Sequence, residues 1–173
     1  MISKVCGAFF KTLFSLSAVP LATASISVRI DFMASINRSN SCNKNILAVG
    51  KVLPNLNGKL DGIALRVPVN CGSIVDLVCN VEHATSVEDV HDAIESSIKA
   101  NNLQEIISFC EEPIVSNDIV GRKESVIIDK SLTSVNEKMI KLLLWYDNET
   151  AYSQRLLDLI EKVSESSDVI KES

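Results

Sequence analysis

The chain has 173 residues, 46% of them apolar and 23% charged, the length and balance of one globular domain rather than of a disordered or fibrous chain. A formal charge of −5 excludes a nucleic-acid binder that works through a basic face. Six Gly and four Pro exclude collagen-like and low-complexity chains.

The charge is unevenly spread. Residues 1–50 hold five basic residues (Lys4, Lys11, Arg29, Arg38, Lys44) against one acid, Asp31, a net +4. Residues 51–173 hold 12 basic and 21 acidic residues, a net −9. Four of the five Phe lie before the seam near Gly50. Lys4 and Lys11 precede an apolar run from Leu13 to Leu21, and Ala22-Thr23-Ala24 follow it. Three readings stand for this segment: a cleavable export signal, an organelle transit peptide, or a divergent leader joined to a truncated domain. The run is too short and too polar to span a bilayer, which takes roughly 20 apolar residues. No membrane partner is expected.

Five scattered cysteines with no C-x-x-C pair point to neither a disulfide framework nor a zinc site. His83 and His91 have no cysteine or carboxylate cluster at ligand spacing, so they read as surface residues, and no metal is expected. A reducing, cytoplasmic compartment fits; an organelle or the exterior becomes the alternative if residues 1–24 are a targeting peptide.

The elements become legible after Gly50. Asn57-Gly58 reads as a turn. Ile63 to Val69 and Ser73 to Glu82 read as two strands joined through Asn70-Cys71-Gly72, which predicts an antiparallel neighbouring pair. Ser86-Val87-Glu88-Asp89 resembles a capping box, and Val87, Val90, Ile94 and Ile98 recur at helical spacing until Asn101-Asn102. Leu103 to Phe109 reads as a second short helix. Pro113 to Asp118, Ser125 to Asp129 and Met139 to Tyr146 read as strands, the last one central because it has too many consecutive apolar residues for a half-exposed strand. A final helix is predicted from Glu149 to about Ser164, with Tyr152, Leu156, Leu159, Ile160 and Val163 facing a core and Gln154, Arg155, Asp158 and Glu161 facing out. The order ββα(α)βββα predicts an α+β fold: an antiparallel or mixed sheet with helices packed on one face.

Generic catalytic motifs are missing. No G-x-G-x-x-G, G-x-S-x-G, H-E-x-x-H or Walker loop occurs. Two longer stretches carry the information. One is Gly58-Lys59-Leu60-Asp61-Gly62-Ile63-Ala64-Leu65-Arg66-Val67-Pro68, followed by Ser73-Ile74-Val75-Asp76-Leu77. The other is Trp145-Tyr146-Asp147-Asn148-Glu149, followed by Tyr152-Ser153-Gln154-Arg155 and Asp158-Leu159. Together with Glu112 to Asp118 and Ser125 to Asp129, they resemble the catalytic domain of phosphorylating glyceraldehyde-3-phosphate dehydrogenase over about residues 48–165. The resemblance divides the chain into a basic leader (1–47) and a catalytic-domain-like part (48–173).

The resemblance implies an antiparallel-rich sheet, NAD or NADP as cofactor, a sugar-phosphate substrate and an oligomeric assembly. It implies that Arg66 binds substrate phosphate, a task suited to a forked guanidinium. It also implies that Asn148 and Tyr152 stand beside the nicotinamide. Each has a plainer reading: Arg66 pairs with an acid, Asn148 caps the last helix, Tyr152 belongs to the core. The family's Ser-Cys-Thr-Thr-Asn-Cys is absent, and neither Cys6 nor Cys42 resembles its nucleophile. No histidine precedes His83, only Ala48-Val49-Gly50 remain of a phosphate-site stretch, and Thr150-Ala151 replace a tryptophan and glycine. No catalytic residue is assigned. A thiol without a base or another source of lowered pKa does not attack at neutral pH, so the chain is expected to be inactive alone and to bind no cofactor by itself. The alternative is a non-catalytic module that associates with a full-length dehydrogenase.

Overall fold

The computed structural model describes residues 26–31, 57, 59–62, 64, 65 and 67–171; side chains are described for 57, 59, 61, 62, 65 and 67–164. The elements are β1 (Ile26–Asp31), β2 (Leu60–Asp61), β3 (Ala64–Leu65), β4 (Ser73–Asn80), α1 (Val87–Ala100), β5 (Ile107–Cys110), β6 (Val126–Asp129), β7 (Ser134–Asn136), β8 (Met139–Tyr146) and α2 (Thr150–Lys171). Among the described residues, eight strands join one mixed sheet in the order β2-β1-β4-β8-β6-β5, with β3 also on β1 and β7 also on β8. The α+β class expected from the element order is met.

The centre of the sheet is the antiparallel pair β4 and β8, in register from Ser73↔Tyr146 to Asn80↔Met139. Alternation puts Val75, Leu77 and Cys79 on one face, opposite Leu144, Leu142 and Ile140. These six side chains are buried with Val126 and Ile128 of β6 and with Val90, Ile94 and Ile98 of α1. One helix stripe thus closes one sheet face, the layer arrangement that removes both apolar surfaces from water.

Helix α1 begins and ends for local reasons. Asp89 donates its N–H to Ser86 Oγ at 3.0 Å, and Ser86 returns its N–H to Asp89 Oδ2 at 3.1 Å. This is a capping box with Asp in place of the usual Glu. At the other end Asn101 caps the helix, and Asn102 turns left-handed at φ 53°. Asn reaches that region at lower cost than most residues.

Four expectations are corrected. The expected hairpin of 63–69 with 73–82 does not form: β3 pairs parallel to β1, and β1 occupies the place beside β4 with a six-residue antiparallel register. Its Ile26, Val28 and Ile30 stand opposite Cys79, Leu77 and Val75. A strand from the basic segment therefore intervenes between two elements adjacent in sequence. Leu103 to Phe109 is a turn followed by β5, which runs parallel to β6. Here the ladder and the burial of Ile107 outweigh the helix preference of Leu, Gln and Glu. Pro113 to Asp118 is a turn, held by the Asp118 carboxylate accepting from Val115 N–H at 2.8 Å. The fourth correction concerns α2, which runs to Lys171 and leaves its expected core stripe exposed: Leu156 by 42%, Leu159 by 50%, Ile160 by 64% and Val163 by 59%. Gln154, Arg155 and Asp158, expected to face out, are half-buried instead. Arg155 approaches Ser125 Oγ at 3.4 Å and pairs with Asp158 at 2.7 Å, so the polar side of α2 is turned inward.

β8 is central, as its composition predicts, with β4 on one side and β6 and β7 on the other. The short β7 gives little sequence signal, because its hairpin loop Glu137-Lys138 uses a positive φ at Glu137 (53°) instead of Gly or Asn.

Candidate functional site

Helix α2 follows β8 after the connection 147–149, and two of the three assigned side chains lie here, Asn148 in the connection and Tyr152 in the helix. Asp147 is the cap. Its Oδ1 accepts the backbone N–H of Glu149 at 2.8 Å and of Thr150 at 3.0 Å. Its Oδ2 accepts Thr150 Oγ1–H at 3.0 Å and the Gly121 N–H at 2.8 Å. Burial pushes this carboxyl's pKa up, but the donors from Gly121, Glu149 and Thr150 outweigh it and hold the pKa below the usual value. Asp147 is ionised at neutral pH.

The plainer reading of Asn148 as helix cap is therefore corrected, because the residue before it fills that role. Asn148 is exposed and lies in the turn between Asp147 and Thr150, where α2 begins. Tyr152, in the first turn of α2, is half-buried. The Glu149 and Thr150 N–H groups at this helix start are taken by the Asp147 carboxylate. Arg66, the third assigned residue, lies outside the described residues. Its neighbours Leu65 and Val67 are exposed.

The departures from the family motif have structural consequences. Thr150, in place of an aromatic residue, adds its hydroxyl to the Asp147 cap. Ala151 is buried. Sequence reasoning missed Asp147. An Asp immediately before a helical stripe is a standard N-cap signal, but the adjacent Asn148 offered the same chemistry.

Among the described residues, Cys79, Cys110 and His91 are held in other interactions than a thiol–imidazole pair. Burial pushes the Cys79 thiol up to about 11, so it is protonated at neutral pH and is not a nucleophile. Cys110 Sγ donates to the Glu112 carbonyl at 3.2 Å. Cys6 and Cys42 lie outside the described residues. His91 packs edge-on to Phe109 with ring centroids 5.8 Å apart, and its Nε2 is 3.0 Å from Thr133 Oγ1. Burial, then the charge of Lys130, lowers its pKa, so it is neutral at pH 7 and structurally engaged. His83 is exposed. Among the described residues no group of three or more His, Cys, Asp or Glu could hold a metal ion, and no helix is long and apolar enough to cross a membrane.

A sequence profile described as "Glyceraldehyde 3-phosphate dehydrogenase, C-terminal domain" matches residues 27–148. The chain belongs to this family. The matched span runs from β1 through the whole sheet to Asn148, so the glyceraldehyde-3-phosphate dehydrogenase pattern includes the strand on the N-terminal side of the charge seam. The chain is 45% identical over 119 residues to the glyceraldehyde-3-phosphate dehydrogenase of Mycobacterium avium, covering 69% of this chain and 35% of that protein. It is 48% identical over 118 residues to the chloroplastic enzyme GAPCP1 of Arabidopsis thaliana, covering 68% and 28%. With the Podospora anserina enzyme the identity is 45% over 118 residues, covering 68% and 35%. The chain spans about a third of the length of these relatives.

Proposed function

We propose that the 173 residues are a glyceraldehyde-3-phosphate dehydrogenase catalytic-domain fragment that keeps the family's fold but does not oxidise aldehyde on its own. One observation carries the reading: the buried, protonated Cys79 and the engaged His91 supply no activated thiol, and Ser-Cys-Thr-Thr-Asn-Cys is absent from the sequence. Without a thiolate there is no thiohemiacetal, no thioester, and no covalent route for splitting the reaction. Arg66 is retained from the substrate-phosphate site, and Asn148 and Tyr152 from the nicotinamide site. The exposed Asn148 and the neighbouring Tyr152 support that placement.

In this reading NAD or NADP and a sugar phosphate are the family's ligands, and the fragment alone binds neither firmly. Residues 48–173 are the catalytic-domain-like part, and the family match extends it back to residue 27, so β1 of the basic segment belongs with it. The location is the cytoplasm. The test is turnover with glyceraldehyde 3-phosphate, NAD and phosphate. The expected result is no NADH above a protein-free control. NADH production that persists when Cys6 and Cys42 are both replaced by Ser overturns the assignment.

A second reading, an assembly module that joins a full-length dehydrogenase or a second copy, is favoured by the apolar stripe of α2. Size-exclusion chromatography of the chain alone and mixed with a full-length dehydrogenase tests it; complete failure to co-elute overturns it.

A further inference from the structure

Away from the candidate site, one group of charged and aromatic side chains joins α1 to the end of β6. His91 and Glu95 lie one turn apart on α1, and both face Lys130, the residue after β6. Lys130 Nζ stands 3.2 Å from Glu95 Oε1, 3.2 Å from Glu111 Oε1 and 4.9 Å from the centre of the Phe109 ring. His91 meets the same ring with centroids 5.8 Å apart. The Phe109 ring therefore borders one cation and one titratable imidazole.

The hydrogen bonds fix the tautomer of His91. Thr133 Oγ1 has one proton and donates it to the Asp129 carbonyl at 3.0 Å. At its 3.0 Å contact with His91 it must then accept from Nε2–H. Nδ1 is the nitrogen that takes the next proton, so the ring becomes charged without giving up its anchor on Thr133.

Among the described residues, the charges around His91 are Glu88, Asp92 and Glu95 of α1 and Lys130. Glu111, after β5, reaches it through Lys130. Phe109 of β5 and Thr133 of the β6–β7 connection carry no charge. Burial and then Lys130 lower the pKa of His91 against the pull of the three α1 acids. The hydrogen bond from Lys130 to Glu95 raises the pKa of Lys130. Lys130 is thus a cation throughout, whereas His91 gains charge only below its ordinary value of about 6.5.

A charged His91 sets two cations against one ring and one acid. Glu95 is within reach of both, across to Lys130 or four residues back along the helix to His91. Lys130 has Glu111 as a second partner and can give up Glu95 without losing every counter-charge. We propose that acidification exchanges the partner of Glu95: with His91 neutral, Glu95 pairs with Lys130 and ties α1 to the end of β6; with His91 charged, Glu95 pairs with His91 within the helix and Lys130 keeps Glu111. Half-exposed pairs contribute little to global stability, so the exchange is read at the residues themselves rather than in the unfolding midpoint.

NMR titration of the full chain from about pH 8 to 5 tests the proposal. The Glu95 carboxyl and Lys130 ammonium signals are expected to carry an inflection at the His91 midpoint, below about 6.5. The Lys130 ammonium hydrogens are expected to exchange with water several-fold faster below that midpoint. Lys130→Gln is expected to raise the His91 midpoint by about half a unit, the size of one half-exposed charge pair, and Glu95→Gln to lower it by about as much. A His91 ring that titrates while the Glu95 and Lys130 signals stay level through its midpoint overturns the proposal, and this measurement on the unaltered chain does not depend on how the variants fold. An imidazole that stays neutral down to pH 5, or a midpoint unchanged in Lys130→Gln, also overturns it.

Discussion

The carboxylate of Asp147 holds the backbone N–H of Gly121 at 2.8 Å across 26 residues of sequence. The same side chain accepts from Glu149 N–H, Thr150 N–H and Thr150 Oγ1–H, so one buried acid ties the 116–121 turn to the first turn of α2. Replacing it removes the acceptor of all four. Asp147→Ala is expected to cost about 1–2 kcal/mol, the loss of an N-cap together with the tie to Gly121. Asn148→Ala, on an exposed side chain, is expected to change stability by less than about 0.5 kcal/mol. Urea denaturation of the two variants checks this, and equal losses would falsify the assignment of Asp147 as cap.

Acid sensitivity follows from the same carboxylate and one other. The side-chain hydrogen bonds from Arg122 hold Glu124 at about 2, against the opposing effect of burial. Asp147 is also held below its usual value. A group whose folded pKa is depressed contributes stability that is present above its ordinary pKa and lost as pH falls toward the folded one. The denaturation midpoint is therefore expected to stay level from pH 7 to about 5 and to fall between about 5 and 2. Glu124→Gln removes one of the titrating groups. Its midpoint should start lower and fall less over that range.

Two glycines have left-handed backbone and different surroundings. Gly72 has φ +88°, and an added Cβ would lie 2.9 Å from both Ile119 Cδ1 and the Ser116 carbonyl oxygen. Gly121 has φ +80° with nothing within 4 Å. Gly121→Ala is expected to cost about 1–2 kcal/mol, the strain of the backbone region alone. Gly72→Ala adds a clash with backbone and a fully buried side chain, and is expected to cost about 3–4 kcal/mol. Thermal unfolding of the pair measures the difference, and equal shifts in Tm would show that steric contact at Gly72 is relieved without loss.

Thiol chemistry separates the cysteines. Cys79, buried and pushed up to about 11, is expected to resist iodoacetamide at pH 7.5 until the protein unfolds. Peptide mapping after labelling of the native and the urea-unfolded chain reads this directly. Labelling of Cys79 in the native state within minutes would show that the β4–α1 core opens readily.

Local signals in the sequence identified α1, β4, β6 and β8. In α1 the signals are a reciprocal cap at Ser86 and Asp89 and an Asn at positive φ; in β8 it is the consecutive apolar residues Leu142 to Tyr146. Ile107 to Cys110 was not legible, because a helix-compatible sequence became a strand only through its parallel ladder with Val126–Asp129. Asn148 and Tyr152 were assigned from the resemblance carried by Trp145–Glu149 and Tyr152–Arg155. Asp147 was not, because two adjacent residues carry capping side chains and only the backbone path after β8 selects between them.

The sequence by itself determined the α+β class and the charge division, and its motifs carried the family resemblance, because periodicity, caps and motifs are local properties of the chain. Tertiary structure alone decided that β1, from the basic segment, stands between β3 and β4. A strand's neighbour is chosen by ladder pairing across long sequence separations, and six paired positions with β4 outweigh the short connection from β3. It also decided which side of α2 faces inward. The helical period predicted an apolar contact, but the Asp147 cap, buried Ala151 and the Arg155–Ser125 approach set the rotation and leave the apolar stripe exposed.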